Sequence, residues 1–250
     1  MIFVYLISAK IFWCMTKQIP IILFILIFSL SQAQNSVDKD KTFFSEAISL
    51  NINDYNKKTN KAYRYKKTER AQFLFDSLVK HCLVGTYIDN FSINCIGKNK
   101  NCFNDYQKPI FLLTYASWCV PGKGEIPAFN EIAKKYRNEI DFIVLFWDKK
   151  HQVKKVAREY NNAIDIVYVD ELDNRDSFII RTMKHSLGFP TTFYIGSDKQ
   201  ILNINRTVIL PYDTPYEKSY TYNYQNVAEG VSQILDHEEK LLGQTVFTIK

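Results

Sequence analysis

The chain has 250 residues, 46% of them hydrophobic, 23% charged and 15% aromatic, with a formal net charge of +6. This balance lies close to that of ordinary globular proteins and argues against a disordered chain and against a protein that crosses a membrane many times. The length suits one generous domain or one domain with an appendage.

Residues 15–33, MTKQIPIILFILIFSLSQA, place a lysine, an apolar run and a small-residue end in the layout of a secretory signal peptide. Cleavage is expected before Gln34, and the poor fit of residues 1–14 to a charged leader points to Met15 as the true start. The run from Ile19 to Leu30 is shorter than the ~20 residues a spanning helix needs. A membrane partner is therefore expected only if the segment is retained, and the mature chain is expected to be periplasmic, envelope-associated or secreted. Export leaves Cys82, Cys95, Cys102 and Cys119 where disulfides persist, and four cysteines allow three pairings.

Residues 34–66 are polar and rich in Asn and Lys, which reads as a leader with at most one short helix around Phe43 to Leu50. The paired lysines Lys57-Lys58, Lys66-Lys67, Lys134-Lys135 and Lys154-Lys155 read as solvated faces, and no nucleic-acid partner is expected. From Thr68, Ala71, Leu74, Phe75, Leu78, Val79 and Cys82 recur at helical spacing, with Gly85 as the stop. The organisation expected is a signal peptide over 1–33, a leader and helical extension over 34–82, and a main domain over 83–250.

The stretch after Gly85 alternates short apolar runs with amphipathic segments, the pattern of βαβ units on a central sheet. NFSINCI, PIFLLTYA, DFIVLFW and AIDIVYVD are strand candidates, and KGEIPAFNEIAKKYRN and HQVKKVAREYNN are helix candidates. A short helix ending at Gly188 is followed by PTTFYI and QILNINRTV, an antiparallel hairpin around GSDK. Residues 209–224, rich in Pro and Tyr, read as a long loop before a last helix carrying Val227, Val231, Ile234, Leu235 and Leu242. Cys95 and Cys102 bracket a turn-like IGKNKN, which predicts a structural disulfide between them.

Four features, LVGTYIDNFSI before the first strand, ASWC after a buried strand, GEIP in the following helix and GFPTTFYI downstream, resemble the thioredoxin superfamily and its TlpA-like exported branch. The resemblance implies an α/β fold with a mixed central sheet flanked by helices. It places Cys119 at a helix N-terminus, where the helix dipole favours the thiolate. It also implies a cis-proline at Pro190, with Trp118, Pro121, Phe189 and Pro190 around a substrate chain. Pro121 then fits the first turn of that helix, and Pro127 its interior as a kink.

Gly122 stands where the resemblance expects the second cysteine of a CxxC pair, so Cys119 can attack a disulfide but needs a thiol from elsewhere to be released. The leading expectation is a single-cysteine thiol-disulfide oxidoreductase acting on thiol- or disulfide-bearing proteins, with an external thiol as resolver. A non-catalytic thioredoxin-fold binding module and a thiol peroxidase with Cys119 as peroxidatic cysteine are the alternatives. Glu125, Asp148, Asp170, His151 and His185 are further polar candidates, with Glu125 read as a helix-start acid and the two Asp residues either as strand-end acids facing a ligand or as ordinary helix caps. No cofactor and no metal are expected.

Overall fold

The computed structural model describes residues 41–170, 172, 174, 176–206, 210–211 and 213–248, with side chains to residue 243. The signal segment over 1–33, its cleavage point and the start of the leader lie outside these residues.

Helix α1 spans Phe44–Arg64, far beyond the short helix expected. Its buried stripe of Phe44, Ala47, Ile48, Tyr55, Thr59 and Ala62 keeps helical spacing to the end, with small and amphipathic residues carrying the second half. Lys66, at φ +54°, ends it, and the Lys66 and Lys67 N–H groups donate back to Tyr63 and Ala62. Helix α2, Thr68–Leu78, follows at once and finishes in a π-helical turn, Val79–Leu83.

The sheet holds six strands: β1 Asn94–Cys95, β2 Ile110–Tyr115, β3 Asp141–Phe146, β4 Ile164–Tyr168, β5 Thr191–Ile195 and β6 Ile201–Arg206. Their spatial order is β1-β4-β3-β2-β5-β6. β2, β3 and β4 run parallel, while β1, β5 and β6 each join antiparallel. The parallel strands are connected by α3, Glu125–Tyr136, and α4, Lys150–Val156. Helix α5, Ser177–Ser186, precedes β5, and α6, Tyr216–Thr248, closes the chain. The architecture is the mixed, helix-flanked sheet of a thioredoxin-like fold, with an N-terminal helical region.

Strand alternation divides the core into two layers. Leu112, Ile143, Val167 and Phe193 face Phe44, Ile48, Phe75 and Ile180 of α1, α2 and α5. Phe111, Leu113, Phe142 and Val144 face Phe129, Ile132, Val153, Val231 and Ile234 of α3, α4 and α6. The Phe44 ring meets Phe193 edge-on at 5.6 Å, so the N-terminal helices share the core of the sheet, and one compact unit runs from Thr42 onward.

Two further expectations change. Helix α6 begins at Tyr216, within the stretch read as loop, because Tyr216, Tyr220 and Tyr224 stack at i, i+4 spacing with centroids 5.9 and 6.0 Å apart. The expected Cys95–Cys102 disulfide is not formed, and both residues are free thiols. The Ser92–Cys102 bridge and the Ile93 N–H to Asn101 O bond set the register of this turn. Cys95 lies on β1 opposite Val167 of β4, whereas Cys102 lies at the bridge to Ser92. Cys102 Sγ instead donates to Asp105 at 3.1 Å. Among the described residues no helix is long and apolar enough to cross a membrane.

Candidate active site

Strand β2 is buried along its whole length and delivers the chain at Ala116 into a tight turn, closed by the Cys119 N–H donating to Ala116 O at 2.9 Å. Asp148, just past β3, holds this turn from the side: one carboxylate oxygen accepts from the Ser117 N–H at 2.7 Å and the other from Ser117 Oγ at 2.8 Å. It is a loop clamp rather than a helix cap.

Cys119 does not sit at a helix N-terminus. Val120, Pro121, Gly122, Lys123 and Gly124 continue as loop, and α3 begins only at Glu125. The Pro-Gly-Lys-Gly run is poor helix material, which explains the delay. Pro121 therefore lies in the loop. Pro127 is the third helical residue, where a missing N–H costs nothing and no kink is needed.

The electrostatics follow. Burial pushes the Cys119 thiol above the ordinary cysteine value, a backbone hydrogen bond at Ala116 opposes this, and the carboxylates of Asp148 and Glu125 push it further up. Without a helix end beside it, the sulfur lacks the field expected to favour its thiolate.

Glu125 is the half-buried hub of the loop. Its Oε2 accepts from the Gly122 N–H at 3.0 Å and its Oε1 from Tyr115 OH at 3.2 Å. Burial raises its carboxyl pKa, and the two hydrogen bonds oppose that only in part. Glu125 also forms one wall of a cavity of about 160 Å³ bounded by Phe129, Thr192, Tyr194 and Asn223.

The first turn of α6 closes over the same loop. A Cβ added at Gly124 would lie 2.2 Å from the Tyr220 backbone nitrogen, so this close approach requires glycine. A Cβ at Gly122 would meet Ser219 Oγ at 3.1 Å. Ser219 is buried, and its Oγ accepts from the Gly124 N–H at 3.4 Å.

The other wall is the turn before β5. Phe189-Pro190 is a cis peptide, and the pairing of Thr114 with Thr191 brings it to the end of the sheet from which the Cys119 loop leaves. The Trp118 ring packs edge-on against Phe189 at 6.5 Å. Trp118 and Val120 are 72% and 71% exposed, an apolar rim beside a half-buried thiol.

Residues 84–204 match the family model described as AhpC/TSA family. The matched stretch is just under half of the chain. The thioredoxin-like protein YneN of Bacillus subtilis is 21% identical to this chain over 122 residues, which is 48% of this chain and 70% of YneN. The thiol-disulfide oxidoreductase ResA of Bacillus thuringiensis is 27% identical over 122 residues, 48% of this chain and 67% of ResA. Among solved structures, the thioredoxin domain of a thiol-disulfide oxidoreductase from Bacteroides vulgatus aligns with a TM-score of 0.45 at 13% identity, covering 58% of this chain and 96% of that one.

Cys119, Trp118, Phe189 and Pro190 gather at one end of the central sheet, with Asp148 and Glu125 behind them. Cys82, in the π-helical turn, packs on the opposite face of the sheet from Cys119. His151 lies in the first turn of α4 and His185 near the end of α5, and among the described residues no three metal-binding side chains cluster. Asp170 accepts from the Leu172 N–H in the loop after β4. Sequence reasoning missed Ser117, Tyr115 and Ser219. A serine beside the cysteine and a tyrosine closing a buried strand were visible signals, whereas Ser219 lay in the stretch read as loop.

Proposed function

We propose that this chain is an exported thiol-disulfide oxidoreductase in which Cys119 alone makes and breaks mixed disulfides with protein partners. The observation that carries the reading is the seat of Cys119: a clamped turn at the end of a buried strand, beside a cis-proline and an exposed Trp118, with Ser219 against the position where a second thiol would stand. The signal-like segment over 15–33 supports export.

In the reaction, the Cys119 thiol loses its proton to solvent and the thiolate attacks one sulfur of a partner disulfide. A new S–S bond forms to Cys119, the partner's S–S bond breaks, and its other sulfur leaves as a thiolate that takes up a proton. An external thiolate then attacks the mixed disulfide at the partner's sulfur, which frees Cys119 as thiolate and leaves the partner joined to the external thiol. Each step is two-electron exchange between sulfurs, with no net oxidation. Trp118 and Pro121 supply a flat apolar contact for the partner, and the Phe189 backbone before Pro190 offers hydrogen bonds to an extended segment.

The test is to incubate reduced protein with a disulfide-bonded peptide, with and without glutathione, and to map mixed disulfides by mass spectrometry. Adducts at Cys119 that glutathione releases, and their loss in Cys119→Ser, are expected. A parent protein that forms no adduct at Cys119 would sink the proposal.

A further inference from the structure

The positive charge of this protein is gathered in one place. Residues 57–70, KKTNKAYRYKKTER, hold seven basic residues and one acid, and that surplus of six equals the formal net charge of the whole chain. The rest of the chain carries as many acidic as basic residues, so the net excess belongs to this segment.

The fold turns this segment outward. It is the last two turns of α1, the left-handed Lys66 and the first turn of α2, and every residue from Asn60 to Arg70 except Ala62 is exposed. Lys58 pairs with Asp54 at 2.5 Å. Among the described residues no acid pairs with Lys57, Lys61, Arg64, Lys66 or Lys67. Aromatic rings lie among the charges: Tyr63 is 52%, Tyr65 62% and Phe73 58% exposed, and the Arg70 guanidinium sits 4.9 Å over the Phe73 ring. A solvated lysine face does not require three large rings left in water.

We propose that this helix–turn–helix apex docks on an anionic phospholipid surface. Three observations favour a bilayer over an acidic protein or a nucleic acid. The apex is a tight turn with every residue from Asn60 to Arg70 except Ala62 exposed, so a deformable plane accommodates it without a matching cleft. Tyrosine and phenylalanine prefer the boundary between headgroup and acyl chain, where ring and hydroxyl are both satisfied. Seven basic residues lie within fourteen consecutive positions, so neighbouring charges add on a negative surface. Docking there would leave the Cys119 end of the sheet free, since none of the apex residues contributes to that site.

The test uses the full chain and sedimentation with vesicles of phosphatidylcholine alone or with about one-third phosphatidylglycerol, binding being read as the ratio of the two partition coefficients. The apolar stretch over 19–30 is common to every variant and cancels in that ratio. The parent is expected to prefer the anionic vesicles, less so as salt rises. Each basic residue near such a surface is worth about fivefold in partition, so Lys66→Gln with Lys67→Gln should cut the ratio roughly 25-fold. Tyr63→Ser with Tyr65→Ser should weaken binding to the anionic vesicles while keeping the salt dependence. Lys134→Gln with Lys135→Gln, an exposed pair on α3, should change nothing. A parent ratio near one, an equal loss in the α3 pair, or capture of an acidic protein or nucleic acid by the apex without anionic preference overturns the proposal.

Discussion

Gly122→Cys tests how the C-terminal helix bears on the active loop. The first atom it adds, a Cβ, would lie 3.1 Å from Ser219 Oγ and 3.8 Å from Glu125 Oε2. Ordinary contacts to carbon sit near 3.5–4.0 Å, so the hydroxyl must retreat by roughly half an ångström. It has little room to do so, because Ser219 is 1% exposed and its Oγ accepts long hydrogen bonds, 3.4 Å each, from the Gly124 N–H and Asn223 Nδ2. Overpacking of this kind costs about 1–2 kcal/mol. For a chain of this size the melting temperature should fall by roughly 3–6 °C. Urea denaturation under reducing conditions measures the cost without a contribution from any new disulfide. Adding Ser219→Ala should return about 1 kcal/mol, a coupling that a double-mutant cycle isolates. Oxidation should then join Cys119 to the introduced thiol and give insulin reductase activity that the parent lacks. If Gly122→Cys is as stable as the parent and Ser219→Ala returns nothing, α6 does not close on this position and the reasoning fails.

Gly124→Ala places a Cβ against backbone atoms of Tyr220, which cannot rotate away, and should cost about 3 kcal/mol or more; a loss below 1 kcal/mol would contradict the close approach. Glu125 has a raised carboxyl pKa from burial, so the stability it contributes is present below the unfolded value near 4.5 and is lost as pH rises through the raised folded value. Thermal melts across about pH 4 to pH 8 should therefore show the parent falling relative to Glu125→Gln as pH rises, and parallel curves would refute this. Alkylation of Cys119 should show a midpoint above the ordinary cysteine value of 9.0, and Asp148→Asn, which keeps an acceptor for Ser117 while removing the charge, should lower it. A parent midpoint below that value would contradict the burial and charge described.

The centre of the sheet was legible because the runs that became β2 and β3 are apolar on both faces, as covered central strands are. The gathering of Cys119 with Pro190 was what the family resemblance implied, and the pairing of Thr114 with Thr191 is what sets the two turns at one end of the sheet. Three features escaped for local reasons. The second half of α1 buries Tyr55, Thr59 and Ala62 instead of aliphatic residues, so its stripe does not stand out against the Asn and Lys around it. The Tyr-rich start of α6 resembles a loop in composition, and its i, i+4 stacking counts only once a helix is assumed. The seat of Cys119 was misjudged because the resemblance suggested a helix, while the glycines at 122 and 124 already marked where that helix could not start. The Cys95–Cys102 pairing rested on spacing around a turn, while both thiols are free, Cys95 opposite Val167 and Cys102 against Asp105.

The loop seat of Cys119 has a kinetic consequence. The group expelled when a mixed disulfide is broken leaves more slowly the higher its thiol pKa, so a sulfur held above the ordinary value is a reluctant leaving group. If Cys119 works as proposed, a partner captured on it would stay attached until an incoming thiolate forced the exchange, turnover would follow the supply of that thiol, and in its absence the protein would hold chains with exposed disulfides covalently.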